Sequence, residues 1–310
     1  MDFAKIVAVG ITASVALALS GRPASAQQSD ASAGESEFRL AYLQDRAQAG
    51  DELSLRDLDF RLTLQDEGGG ASPGHTHDYK EISDFFNIRE ANVNTIKGEW
   101  EIEFEAEWVT DSGGGDDDFT FTPNIKYGLT DDMFIELEVL PLNIGDGGDQ
   151  GNGDLALQVF YQFLRETDTM PALGTWAEAR FPTGDGSSKI DAEFHLNLTK
   201  TIAPRFRAHL EGFVETANGG RGDEDENRRS FQWGVGPGFD YEIDDKTIAA
   251  LNYLHRSSEE LGEPDQNILE VGMVRQLAEN QHLKLAVDVG VDGHDTTPNF
   301  GAKILWSFEW

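Results

Sequence analysis

From Ile96 to Trp310 the chain alternates apolar and polar residues in short runs. The clearest is the first, where Trp100, Ile102, Phe104, Ala106 and Trp108 interleave with Glu99, Glu101, Glu103, Glu105 and Glu107. A helix would scatter those carboxylates around its circumference, whereas a strand gathers them on one face. The same period predicts strands near 96–108, 119–129, 133–142, 153–164, 172–181, 191–201, 205–216, 231–242, 247–256, 267–276, 282–291 and 299–310. Each is about ten residues long, the length of a tilted strand crossing a bilayer.

The connections fall into two classes. Thr130-Asp131-Asp132, Ile202-Ala203-Pro204, Asp244-Asp245-Lys246 and Glu279-Asn280-Gln281 are tight turns, and Glu166 to Pro171 is slightly longer. They alternate with six long segments rich in Gly, Asp and Ser, at 111–118, 143–152, 182–190, 217–230, 257–266 and 292–298. Short turns on one rim and long loops on the other mark an up-and-down outer-membrane barrel, and an even strand count puts both barrel ends on the periplasmic side. Aromatic residues, among them Trp100, Trp108, Phe119, Tyr127, Tyr161, Trp233, Tyr241 and Trp306, gather towards strand ends as interfacial girdles do. The last strand carries Phe300, Ala302, Ile304, Trp306, Phe308 and Trp310 on one face and ends on an aromatic, in the manner of an outer-membrane sorting signal. A soluble sandwich or lipocalin-like barrel would also alternate. It predicts neither the terminal aromatic nor the two classes of connection.

The N-terminus reads as a secretory signal peptide over 1–26: a charged Lys5, an apolar stretch from Ile6 to Leu19, and Ala24-Ser25-Ala26 as a cleavage site. Residues 27–95 form an irregular extension or plug, broken by Gly68-Gly69-Gly70 and Ser72-Pro73-Gly74. Within it Ile82, Phe85 and Phe86 have helix-like spacing, which predicts a short helix or a docked loop whose apolar groups need cover. Residues 96–310 are the barrel.

The formal charge of −33, about −34 without the first 26 residues, repels nucleic acid, which binds basic surfaces. The absence of Cys means that hydrogen bonding and packing alone close the fold. The expected surroundings are membrane lipid and lipopolysaccharide in the cell outer membrane. The expected partners are the outer-membrane assembly machinery and a small-molecule solute, with the protein itself a monomer.

Several short pieces from about Asn92 onward occur in an order that resembles a bacterial family of outer-membrane transporters. That family is labelled as belonging to the meta pathway of phenol degradation. The pieces are Pro123 with Lys126-Tyr127-Gly128-Leu129-Thr130-Asp131; Gly153-Asp154-Leu155 followed by Tyr161; Pro171-Ala172-Leu173; and Phe181-Pro182-Thr183-Gly184-Asp185. The resemblance implies a barrel and a transport role, and no substrate is carried over from it.

In a pore, chemistry resides in rings or rows of charge. The strand phases place Glu99, Glu101, Glu103, Glu105, Glu107, Glu136, Glu138, Glu178, Glu193, Glu211, Glu215, Asp240, Glu242 and Asp288 on the inner face. Lys126, Arg180, Arg207, Lys284 and Lys303 share it. A water-filled lumen of that sign concentrates cations. Arg180 and Arg207 are candidate partners for the carboxylates, and His195 and His209 are expected to pair with Glu193 and Glu211. No cofactor, catalytic residue or metal site is assigned. His75, His77 and Asp78, the single Gly/Asp-rich stretch 147–154 and the acidic runs 116–118 and 223–226 read as solvated loops. A phospholipase-type site would need a Ser two residues after its His, which only His255 and Ser257 offer, with no partner Asn placed. The reading is therefore a non-enzymatic, porin-like channel for passive passage of small solutes, preferring cations. The alternatives are a plugged, non-conducting barrel and an outer-membrane hydrolase.

Overall fold

A computed structural model describes residues 82–110, 117–145, 151–185, 187–217, 229–292 and 300–310. The proposed signal peptide, His75, His77, Asp78 and the run 223–226 lie outside them. Fourteen strand segments follow in order: β1 (Trp100–Thr110), β2 (Asp118–Thr130), β3 (Met133–Glu138), β4 (Leu142–Gly145), β5 (Gly151–Asn152), β6 (Leu155–Leu164), β7 (Ala172–Phe181), β8 (Asp191–Ala203), β9 (Phe206–Thr216), β10 (Phe231–Asp244), β11 (Thr247–Arg256), β12 (Gln266–Ala278), β13 (Gln281–Asp292) and β14 (Phe300–Glu309). Every pairing is antiparallel between neighbours, and β1 pairs with both β2 and β14. The sheet is therefore a closed barrel.

Fourteen segments make twelve staves because two staves are interrupted. Glu138 faces Asn124 on β2, yet Leu142 faces Phe121, a slip of one residue. The cause lies between them. Leu140 takes φ of 43°, in the left-handed region, and Pro141 has no N–H to give the ladder. The expected strand 133–142 thus becomes β3 and β4. The expected strand 153–164 begins at Leu155 as β6, and β5 forms in the expected loop 143–152, separated from β6 by Gly153 and Asp154, with Gly153 packed on the Pro141 ring. β1 starts at Trp100 rather than 96, because Gly98 turns at φ of 84° and its N–H donates to the Gly128 carbonyl.

Asp154, in one quoted motif, is joined in space to Phe181-Pro182-Thr183-Gly184-Asp185, in another. Its Oδ1 accepts from the N–H groups of Thr183 (3.1 Å) and Gly184 (2.8 Å), and Leu155 N–H donates to Thr183 Oγ1 at 2.8 Å. The two pieces form one clasp on the long-loop rim.

Outward positions carry a continuous apolar band, including Phe104, Leu196, Leu210, Phe239, Leu251, Val271, Val287 and Ile304, all exposed. At the short-turn rim Trp100 and Trp310 exchange backbone hydrogen bonds (3.1 and 3.0 Å) and stack with ring centroids 6.5 Å apart, sealing the seam. A patch of that size on a closed barrel is a lipid-facing surface. Among the described residues there is no helix, and Ile82–Thr95 is a turning chain packed inside the wall. Ile82, Phe85 and Phe86 are buried against Ile248, Ala250, Val274, Ala286 and Leu305. Ile88 is buried against Phe213 and Leu254. Fully burying each such side chain is worth about 1.5–3 kcal/mol.

Val271 and Gly272 test the two faces from adjacent positions. Val271→Arg should lower the unfolding free energy in vesicles by roughly 2–4 kcal/mol, the midplane cost of a cation facing lipid. A side chain at Gly272 would begin 2.3 Å from Phe86 Cε1. Gly272→Val should therefore expose 82–95 to protease while the heat-modifiable barrel band persists on a gel.

Candidate functional site

The lumen is shaped by the segment within it. Ile82 lies near the short-turn rim, against Ile248 and Val274. The chain climbs to Asn87 and Ile88, and then descends past β9, β8, β7 and β6 to Thr95. On the descent alternate residues use the wall as a strand would use its neighbour. Asn87 N–H donates to Glu270 Oε1 (2.9 Å), Arg89 N–H to Glu211 Oε2 (2.6 Å), Ala91 N–H to Thr199 Oγ1 (2.8 Å) and Val93 N–H to Gln162 Oε1 (3.3 Å). Each donor would otherwise be an unsatisfied buried amide. The wall also leaves room. Side chains at Gly236 and Gly238 would start 2.8 Å from atoms of Ile88, and one at Gly174 would start 2.8 Å from the Ala91 carbonyl oxygen.

Charges on the inner face are gathered around basic groups. Lys126 Nζ contacts Glu103 (2.6 Å), Asp84 (3.0 Å) and Glu136 (3.3 Å). Those three carboxylates have the mutual spacing of a metal site, but the Lys126 ammonium stands among them. Lys284 Nζ donates to Ser83 Oγ (2.6 Å) and contacts Glu103 (3.2 Å). Arg207 grips Asp240 and reaches Glu90 of the segment at 3.0 Å. Lys303 Nζ meets Glu270 (2.6 Å) and Asp288 (3.6 Å). Arg180 binds Glu178 (2.5 Å) and Glu193 (3.1 Å). His195 is held between Glu193 and Glu211. His209 takes Asp240 and Thr199 rather than the expected Glu211.

The row of glutamates on β1 divides by height. Glu99 lies outside the strand, its Oε2 accepting from Ile96 N–H at 2.9 Å. Glu101 and Glu103 are buried, at 1% and 0% exposure. Glu105 and Glu107 are half-buried, and Glu107 lines a cavity of about 680 Å³ on the long-loop side. Glu136, Glu178 and Glu211 are buried, while Glu138 and Glu193 are half-buried. The cavity has Asn87 on its wall, with Asp118, Glu259, Glu260, Glu263 and Asp288; among the described residues that line it Arg256 is the one cation. Sequence reasoning left out Glu270, together with Asp84, Asn87, Arg89 and Glu90 from the segment. Glu270 was visible as the in-phase neighbour of Ile268 and Gly272. The segment residues carry no strand period that would assign them to a lumen.

The phospholipase-type geometry is partly present. His255 Nδ1 lies 2.9 Å from Asn267 Oδ1. However, Ser257 is buried, its Oγ accepts from Trp233 N–H at 3.1 Å, and His255 Nε2 faces Asp265 at 3.8 Å. His255 and Ser257 are thus bonded to other groups and not to each other.

No family model and no curated protein matches the sequence. Solved structures share the fold. An outer membrane channel from Pseudomonas putida F1 is 14% identical with a TM-score of 0.55, over 71% of this chain and 98% of its own. The NanC porin is 10% identical with a TM-score of 0.50, over 67% of this chain and 98% of its own. The chain has the fold of an outer-membrane β-barrel. Both neighbours carry channel or porin names, and the phenol-degradation label of the sequence resemblance is not among them.

Asp84 gives the lumen a pH response. Burial alone would raise its carboxyl pKa, but Lys126, Arg89 and Lys284 hold it well below the usual carboxylate range. A depressed folded pKa contributes stability that is present above the unfolded value, about 4, and is lost as pH falls below it. Hydrogen exchange of the Ile82–Thr95 amides should therefore be slow at neutral pH and accelerate once pH drops below about 4, and Asp84→Asn should blunt that dependence. Lys126→Met leaves three carboxylates facing one another and should cost roughly 3–5 kcal/mol in unfolding free energy.

Proposed function

We propose that the protein is a passive outer-membrane channel for small solutes that prefers cations, and that Ile82–Thr95 restricts its lumen. The observation that carries the preference is the acidic vestibule. A cavity of about 680 Å³ is lined by Glu107, Asp118, Glu259, Glu260, Glu263 and Asp288, with Arg256 as the one cation among the described lining residues and Lys303 reaching Asp288 at 3.6 Å. Carboxylates in a confined aqueous mouth raise the local concentration of cations and repel anions. Glu103 and Glu136 contribute less, because Lys126 and Lys284 neutralise them at close range, and Glu101 is buried beneath Thr95. The fold shared with an outer membrane channel and a porin supports passage through the barrel. The lipid-facing band supports residence among lipid and lipopolysaccharide after insertion by the assembly machinery, and a single closed barrel needs no second copy.

The inserted segment favours a second reading, a barrel shut in its resting state. On that reading conduction appears when the segment withdraws, and Gly272→Val should open the barrel.

Planar-bilayer recording in a tenfold salt gradient tests the preference. Wild type, or Gly272→Val if wild type is silent, should show a reversal potential of cation sign. The preference should shrink as salt rises and the Debye length falls from about 30 Å at 0.01 M to about 3 Å at 1 M. Replacing Glu107, Glu260 and Glu263 by Gln should move the potential towards zero. An anion-selective pore, or one indifferent to those replacements, would overturn the reading.

A further inference from the structure

Arg89 is the only Lys or Arg in the inserted segment, and it occupies a site built by the wall. Its Cζ lies 5.1 Å from the centroid of the Trp176 ring. Trp176 is 2% exposed and packs against Phe134 and Phe160, with centroids 5.1 and 5.2 Å away, so its ring is fixed. The Arg89 backbone N–H donates to Glu211 Oε2 of β9 at 2.6 Å, Glu178 follows Trp176 on the inner face of β7, and Glu193 of β8 faces Glu178 across the ladder. Burial alone would lower the Arg89 pKa, but these carboxylates and Asp84 raise it. Glu211 is itself oriented, by His195 Nδ1 at 2.5 Å and by Asn197 Nδ2 at 2.7 Å. Every member but Arg89 belongs to the barrel, so the site is pre-organised for whatever enters it.

Its chemistry is selective. A guanidinium is planar and weakly hydrated, and it stacks on an aromatic face while its N–H groups meet carboxylates. An ammonium is a compact, strongly hydrated charge that loses more water and gains no stack. On the long-loop side Arg180 and Glu215 border Glu178 and Glu193. The wall's own cations there are already engaged, with Arg180 on Glu178 and Glu193 and His195 between Glu193 and Glu211.

We propose that Trp176, Glu178, Glu193 and Glu211 form a binding site for small guanidinium-bearing solutes, held in this structure by Arg89 as a tethered stand-in. Such solutes compete with the segment for the site. The inference deepens the cation-channel reading and rests on it for its physiological sense, though binding can be measured without ion flow.

Calorimetric titration of the full chain in detergent with ethylguanidinium, and separately with ethylammonium, tests it. Arg89 competes in wild type at the high effective concentration of a tethered group. Arg89→Ala should therefore bind ethylguanidinium roughly tenfold tighter than wild type. It should bind ethylammonium more weakly than ethylguanidinium, and adding Trp176→Leu should abolish the gain. If Arg89→Ala fails to give the heat-modifiable folded band, Arg89→Lys carries the same test, because Lys keeps the charge and loses the stack. Equal affinity of variant and wild type overturns the site, as does equal affinity for the two cations. Ethylguanidinium binding in a protein that never conducts would overturn the channel reading and leave the site standing. Conduction without binding would do the reverse.

Discussion

A β-sheet in hydrocarbon can leave no backbone amide unpaired, and the pairing of β1 with β14 is what meets that demand. Once the seam closes, the strand period of two sorts every side chain into one of two solvents. Phe104, Leu251 and Trp306 then face lipid, and Glu103, Glu270 and Lys303 face inward. Among the described residues the carboxylates of the strands thus lie on the inner face. The breaks at Leu140-Pro141 and Gly153-Asp154 occur together on neighbouring staves near the long-loop rim, where a lost ladder bond lies close to water.

Closure creates a second problem inside. Carboxylates crowded on a narrow inner wall repel one another, and burial beneath a plug makes each unpaired charge costlier. Lys126, Arg207 and Lys303 each gather two or more carboxylates, and the segment completes these groups with Asp84, Glu90 and Asn87. Its backbone finds acceptors on the wall at every second residue, and its apolar side chains find Ile248, Val274 and Leu305. Charge pairing, amide satisfaction and apolar burial agree on one position for the segment. Such agreement defines a single bound arrangement rather than a loose chain in a tube.

The lumen is consequently graded along its axis. Near the short turns it is filled and its charges are compensated at contact distance. Towards the long loops it opens into an acidic cavity whose walls hold Glu107 and Asp288. In the open part the carboxylates line a cavity rather than a packed interior. Further down, the same residue type serves to hold the segment in place.

Strict alternation, two lengths of connection and an aromatic terminal strand determined the barrel and its strand count. The physical reason is local: a period of two is written along each strand, and lipid tolerates only one phase of it. Some tertiary content left a trace. The run Thr247-Ile248-Ala249-Ala250-Leu251 is apolar on both faces, where a wet lumen would call for polar inward residues. The choice of Asp240 by His209 and the stacking of Arg89 on Trp176 left none. Those were decided only in three dimensions, because they depend on which strands become neighbours and on a segment without strand period threading back between them.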